Sequence, residues 1–376
     1  MTRSWGWRKL LDSAVDLLRG LLERFSPSGE EDEIGNFLSS RMMELGFVVR
    51  KDLVGNIIGE YGEGSPRVLL CGHMDTVPPE LPVRLEDGVL YGRGAVDAKG
   101  PLAALVMAAA GLIEDGYPGS LIVVGAVDEE GKSAGVENLI SDGVEADYAI
   151  FGEPTNVDTI TVGYKGGLML KIDCETETGH SSAPWLYENS IEKAMELWTL
   201  ISSVHLPEED PESMFNSVTY CLRRIHGGSV GSVVPTNCQI LVEARIPPSL
   251  SVDRLCSELL SLIDAYRIDN PDVNVYSETT EDTEPYLSDK KSPMVRALSR
   301  SIWKNRGAKV GLINKTGTGD MNIYGRATGI PSITYGPGDP HLDHTPHECI
   351  GIQDYLDSIT VLKGAITDLP RLSGLD

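Results

Sequence analysis

The chain has 376 residues, enough for two domains, and a formal net charge of −24, which argues against a nucleic-acid partner. No apolar run approaches the about 20 residues that a membrane span needs, and Met1 to Ser13 interrupts its apolar residues with charge and lacks a signal-peptide core, so a soluble, cytoplasmic protein is expected. Six scattered cysteines (Cys71, Cys174, Cys221, Cys238, Cys256, Cys349) form no Cys-x-x-Cys pair, which excludes a disulfide framework or a Cys-rich zinc site as the organising element.

Helical spacing of Leu10, Leu11, Ala14, Leu17, Leu18, Leu21, Leu22 and Phe25 predicts a helix over 8–25, stopped by Ser26-Pro27-Ser28-Gly29. A second helix begins near Glu30, buries Ile34, Phe37, Leu38, Met42 and Leu45, and ends at Gly46. Short strands follow near 47–51, 55–61 and 67–73. The last runs through Leu69-Leu-Cys-Gly-His-Met-Asp75, placing His73 at the end of a buried strand, where open α/β sheets gather their ligand chemistry. Asp75 is placed to accept a proton from the second ring nitrogen of His73 and so orient a metal-bound imidazole.

A glycine-rich turn, Gly92-Arg-Gly-Ala-Val-Asp97-Ala-Lys-Gly100, leads into an Ala- and Leu-rich helix from Pro101 to about Gly116. Leu121–Val127 is the next buried strand and ends in Asp128-Glu129-Glu130-Gly131; Ala149-Ile-Phe-Gly-Glu153 repeats the design. Strand ends carrying His73, the neighbourhood of Asp97, Glu129/Glu130 and Glu153 are expected to converge on one edge of one sheet.

From Gly167 the order changes to β-α-β-β-α-β: strands at 168–175, 218–226, 238–246 and 273–277, with Asn189 and Ser251 capping two amphipathic helices. That order matches a ferredoxin-like unit. It reads as an insertion, because helix 293–305, strands 309–313 and 331–335, and helix 350–368 resume the earlier alternation. The domains are therefore expected at 1–165 with 282–376, and at 166–281. Residues 290–326 hold nine basic side chains and one acid, Asp320, a local excess unlike the rest of the chain. The final cluster, His341-Leu-Asp343-His344-Thr-Pro-His347-Glu348, offers His344 as a ligand; His341 and His347 read as surface residues, and Glu348 as a favourable charge at a helix N-terminus.

Two histidines and several carboxylates without cysteine suit zinc or cobalt, with manganese also compatible. Four to five donors exceed what one catalytic ion takes while keeping a position open, so two divalent ions sharing a carboxylate are expected. Glu129 and Glu130 are adjacent and point different ways, one toward metal and one toward water.

Gly72-His73-Met-Asp75, Gly92–Gly100, Asp128–Gly131, Gly152-Glu153-Pro154, Gly179-His180-Ser-Ser-Ala-Pro184 and His344–Glu348 together resemble the acetylornithine deacetylase / succinyl-diaminopimelate desuccinylase / carboxypeptidase G family of di-metal amidohydrolases, over nearly the whole chain. The resemblance implies an α/β fold: a di-zinc exopeptidase-like catalytic domain, with a mixed sheet flanked by helices, and an inserted ferredoxin-like α+β dimerisation domain. It implies that Asp97 bridges two ions and precedes a cis peptide to Ala98, that His73 and Glu153 hold one ion, and that Glu130 and His344 hold the other. Glu129 is then the general base and Asp75 orients His73.

By the same resemblance His180 reaches the partner subunit's site in a homodimer and polarises the scissile carbonyl; the alternative is a surface loop residue. Arg245 matches an arginine that grips a substrate carboxylate, against the alternative of an exposed strand-end charge, and Asn237 is a weaker candidate for the same pocket. Asn314-Lys-Thr-Gly-Thr-Gly-Asp-Met-Asn322 resembles the branch that releases lysine or ornithine from the acidic amino-group carrier protein LysW, in lysine and arginine biosynthesis. Asp320 then meets the substrate's free ammonium or forms a structural turn. Acetylornithine or acetyl-lysine deacetylation, dipeptide cleavage, and an inactive metal-binding adaptor are the rival readings; retention of Glu129 speaks against the last.

Overall fold

The computed structural model describes residues 3–374. The chain divides into two compact units: one contains the described residues up to Gly163, Ser288–Ile313 and those from Gly319 on; the other contains Tyr164–Leu287 and Asn314–Thr318.

The first unit is built on a mixed sheet. Its strands lie in the spatial order Val48–Lys51, Ile57–Tyr61, Ser120–Ala126, Arg67–His73, Tyr148–Phe151, Ser332–Thr334 and Thr159–Tyr164. Strands Ser120–Ala126, Arg67–His73, Tyr148–Phe151 and Ser332–Thr334 run parallel to one another, with Ile57–Tyr61 pairing antiparallel at one side and Thr159–Tyr164 at the other. All seven residues of Ser120–Ala126 are buried, as expected of a strand covered on both faces. Helix Lys99–Glu114 is buried from Lys99 through Leu112, which explains an apolar composition without a polar stripe. It packs against helices Arg3–Leu22 and Ile352–Ser373 and against the His73 strand.

Several elements had no clear sequence signal. Helices Ala134–Ser141 and Asp320–Thr328 are only 8 and 9 residues long, too short for apolar periodicity to stand out. A separate three-stranded sheet joins Cys349–Gly351, Val89–Tyr91 and Arg84–Glu86. Asp97 therefore follows a strand of this small sheet instead of the main one, and Glu348 precedes strand Cys349–Gly351 instead of opening a helix.

The second unit carries four antiparallel strands in the order Thr219–Gly227, Asn237–Ile246, Gly166–Thr176 and Val273–Thr283, with helices Ser190–Ser202 and Val252–Asp269. In chain order the strands lie 2-3-1-4, the arrangement of a ferredoxin-like sheet. Asn189 and Ser251 cap their helices by accepting the N–H of Ile191 and Arg254. Strand Thr219–Gly227 is an edge, and most of its residues are exposed. All six cysteines are free, with Cys71, Cys174 and Cys238 buried as small core side chains. Among the described residues no helix is long and apolar enough to cross a membrane.

Candidate metal centre

Register explains how distant acids meet His73. His73 lies beside Ala126 on one parallel neighbour, and Cys71 beside Phe151 on the other. The chain leaving those neighbours reaches Glu129 and Glu130 on one side and Glu153 on the other within a few residues. Two sets of donor atoms result, each lying within 4.8 Å of one another: His73 with Glu129 and Glu153, and His73 with Asp97 and Glu130.

Asp97 occupies the middle. Its Oδ1 is 3.2 Å from His73 Nε2, and its Oδ2 is 3.1 Å from His344 Nε2. His73 Nε2 also lies 3.4 Å from Glu153 Oε1, and His344 Nε2 lies 2.9 Å from Glu130 Oε1. The peptide between Asp97 and Ala98 is cis. Asp128 and His344 have φ of 61° and 58°, left-handed conformations that cost non-glycine residues about 1–3 kcal/mol and so need support from their surroundings. Gly131 leaves the room that the Asp128 side chain fills, since an added Cβ there would stand 2.0 Å from its carboxylate.

The orientation of His73 differs in detail from expectation. Its Nδ1 donates to the main-chain carbonyl of Asp75 at 2.9 Å, while the nearer Asp75 carboxylate oxygen is 3.4 Å away. The buried Asp75 carboxylate instead accepts the Ser28 hydroxyl at 2.7 Å and the main-chain N–H groups of Glu129 at 3.1 Å and Glu130 at 3.0 Å.

The electrostatics fit divalent cations. Burial opposes ionisation of Asp97, yet hydrogen bonds from His344 and His73 hold its carboxyl well below the usual range. Burial also opposes charge on His73, but the carboxylates of Asp75, Asp97 and Glu153 raise its ring well above the ordinary value. His344 is pushed up to about 10 by its bonds with Asp97 and Glu130. Glu129 is raised well above its normal value, first by burial. Such a group of carboxylates around two imidazoles demands more positive charge than its side chains supply, and imidazole and carboxylate are the donors that divalent zinc, cobalt or manganese take.

Asp320 sits in the first turn of helix Asp320–Thr328, is 7% exposed, and is pushed up to about 7 chiefly by burial, with His73 acting against it. The remaining candidates belong to the second unit. His180 is exposed and its Nδ1 bonds to the Ser182 hydroxyl at 2.8 Å. Asn237 is exposed and donates to Thr236 Oγ1 at 3.1 Å. Arg245 is paired with Glu243 and donates to Thr318 Oγ1 at 3.2 Å.

Sequence patterns did not single out Arg93, and they gave Glu348 a different place, at a helix N-terminus. The two residues form a buried ion pair at 2.7 Å, with side chains 3% and 0% exposed. The available signal was a charge inside each of two motif runs; the pairing across the chain carried no local mark.

The sequence pattern of peptidase family M20/M25/M40 matches residues 69–368. A Thermococcus kodakarensis protein provisionally named LysW-lysine/LysW-ornithine hydrolase is 37% identical, over 95% of this chain and 92% of its own length. The Sulfurisphaera tokodaii LysW-lysine/LysW-ornithine hydrolase is 34% identical, over 94% and 95%. A solved Staphylococcus aureus tripeptidase superimposes with a TM-score of 0.81 at 23% identity, covering 96% of this chain and 99% of that one, a likeness of fold. The family match begins in the strand that ends at His73 and runs into the last helix, and this chain belongs to peptidase family M20/M25/M40.

Proposed function

We propose that this chain is a di-metal hydrolase that releases lysine or ornithine from the carrier protein LysW, the substrates named for its relatives. The observation that carries the reading is Asp97, whose two oxygens face two different histidines, each with a further carboxylate at hand. His73 and Glu153 would hold one ion, Glu130 and His344 the other, and Asp97 both. Zinc is the first choice from the donor set, with cobalt the alternative. When bound, such ions acidify water and polarise an amide carbonyl.

Glu129 then takes a proton from the attacking water at its carboxylate and passes it to the departing amine nitrogen. Burial raises its carboxyl above the ordinary value, which makes it a stronger base toward the water's proton. Asp75 keeps Glu129 and Glu130 diverging by fixing both of their N–H groups. Arg245 and Asn237 would bind a substrate carboxylate, and His180 would act from the partner of a homodimer. The exposed edge strand Thr219–Gly227 supports dimer formation through the second unit, since open edges invite pairing. Asp320 would meet the substrate's free ammonium or serve a structural role in its turn.

The deciding experiment is turnover, side by side, of LysW-linked lysine, LysW-linked ornithine and acetylornithine by purified protein. Preference for acetylornithine would replace the carrier reading with that of a small-molecule deacetylase.

A further inference from the structure

Asp97 and His344 come from distant places in the chain, yet their side chains must stand at a fixed separation for one ion to lie between Asp97, Glu130 and His344. A pair of buried charges joins the two segments. Glu348 Oε1 accepts the main-chain N–H of Val96 at 2.9 Å and of Asp97 at 3.0 Å, while its Oε2 accepts Arg93 Nη1 at 2.7 Å. Arg93 Nη1 also donates to the carbonyl of Thr345, next to His344, at 3.2 Å, and its Nε donates to the carbonyl of Pro79 at 3.1 Å. The small sheet pins the same segments from outside, with Cys349 beside Tyr91. Neither side chain reaches solvent, so each charge depends on the other and on these hydrogen bonds.

We infer that Glu348 and Arg93 are a positioning pair that sets the separation of Asp97 from His344, and with it the affinity for the cation those two residues share. The inference rests on the di-metal reading above. Glu348 fixes the backbone of Asp97; Arg93 ties that same carboxylate to the loop that presents His344. Both ions would share Asp97, but Arg93 reaches the loop of His344, which would hold only one of them. Loss of the pair should therefore weaken one cation position more than the other, whereas a purely structural contribution would lower the stability of the whole unit and both positions alike.

The test is to titrate metal-free wild type, Glu348→Gln, Glu348→Asp and the double variant Arg93→Met/Glu348→Gln with Co2+ and then Zn2+, following cobalt absorbance and bound metal per chain alongside thermal unfolding. Glu348→Gln should keep one tight position and lose about 10–100-fold in affinity at the other, the range expected when a residue supporting metal ligands is removed. Glu348→Asp, which keeps the charge, should recover part of that loss. The double variant removes the unpaired buried cation, so it should unfold near wild type while keeping the weak position. Two wild-type affinities in Glu348→Gln, or equal loss at both positions tracking a fall in unfolding temperature, would overturn the inference. Absence of metal binding by the wild type would instead overturn the di-metal reading itself.

Discussion

Asp75 anchors Glu129: one oxygen of its buried carboxylate accepts the Glu129 main-chain N–H at 3.1 Å. The other oxygen accepts the N–H of Glu130 at 3.0 Å, so a residue placed by sequence to orient a histidine also holds the neighbouring acidic turn. Replacing Asp75 with Ala should strand both N–H groups in a buried setting, at a cost of about 1–3 kcal/mol each, and lower kcat by ~10²-fold. Asp75→Asn, which keeps one acceptor oxygen, should fall between Ala and wild type. Equal kcat in all three proteins would remove Asp75 from any role in arranging the site.

Glu129 is the proposed proton carrier. Glu129→Gln should lower kcat by ~10²–10⁴-fold with bound metal unchanged. Turnover near wild type would assign the base elsewhere; loss of metal together with turnover would make Glu129 a ligand.

Metal uptake should release protons. His344 is pushed up to about 10 by its bonds with Asp97 and Glu130, and His73 is raised well above its ordinary value despite burial. His344 should therefore carry a second ring proton at neutral pH in the metal-free protein, and a cation must displace it. Affinity should climb as pH rises toward about 10, by about one decade per pH unit for the proton displaced from His344, and level off above it. Calorimetric titration with Zn2+ in two buffers of different ionisation enthalpy gives the number released. A count of zero near pH 7 would show that the rings are already neutral.

The positive stretch at 290–326 is a candidate docking surface for an acidic carrier, but its members are not equivalent. Arg306 is held by Asp158 at 3.2 Å, Asp354 at 3.3 Å and Asp357, which makes it a clamp within the first unit. Arg296, Arg300 and Lys304 are exposed at successive i, i+4 positions of helix Pro293–Arg306, and so share one face. Reversing Arg300 and Lys304 to Glu should lower kcat/KM for LysW-linked lysine several-fold at low salt, with the difference shrinking as salt rises, and leave acetylornithine turnover unchanged. Equal effects on both substrates would reduce this face to a solvated helix surface.

What the sequence determined by itself was local in origin. Apolar runs ending in His73, Glu130 and Glu153, the Asn189 and Ser251 caps, and the β-α-β-β-α-β order each depend on neighbours along the chain, where periodicity and turn chemistry act. Parallel pairing of Ser120–Ala126, Arg67–His73 and Tyr148–Phe151 then carried their ends to one edge without further specification. Tertiary structure decided the rest. It drew Asp97 from a separate small sheet, turned Glu348 from an expected helix-terminal charge into the buried partner of Arg93, and paired Arg306 with three aspartates distant in the chain. These pairings leave no local signature, because a charge's role depends on what burial sets beside it: an exposed ion pair contributes little, whereas a buried charge must find its partner wherever the fold brings one.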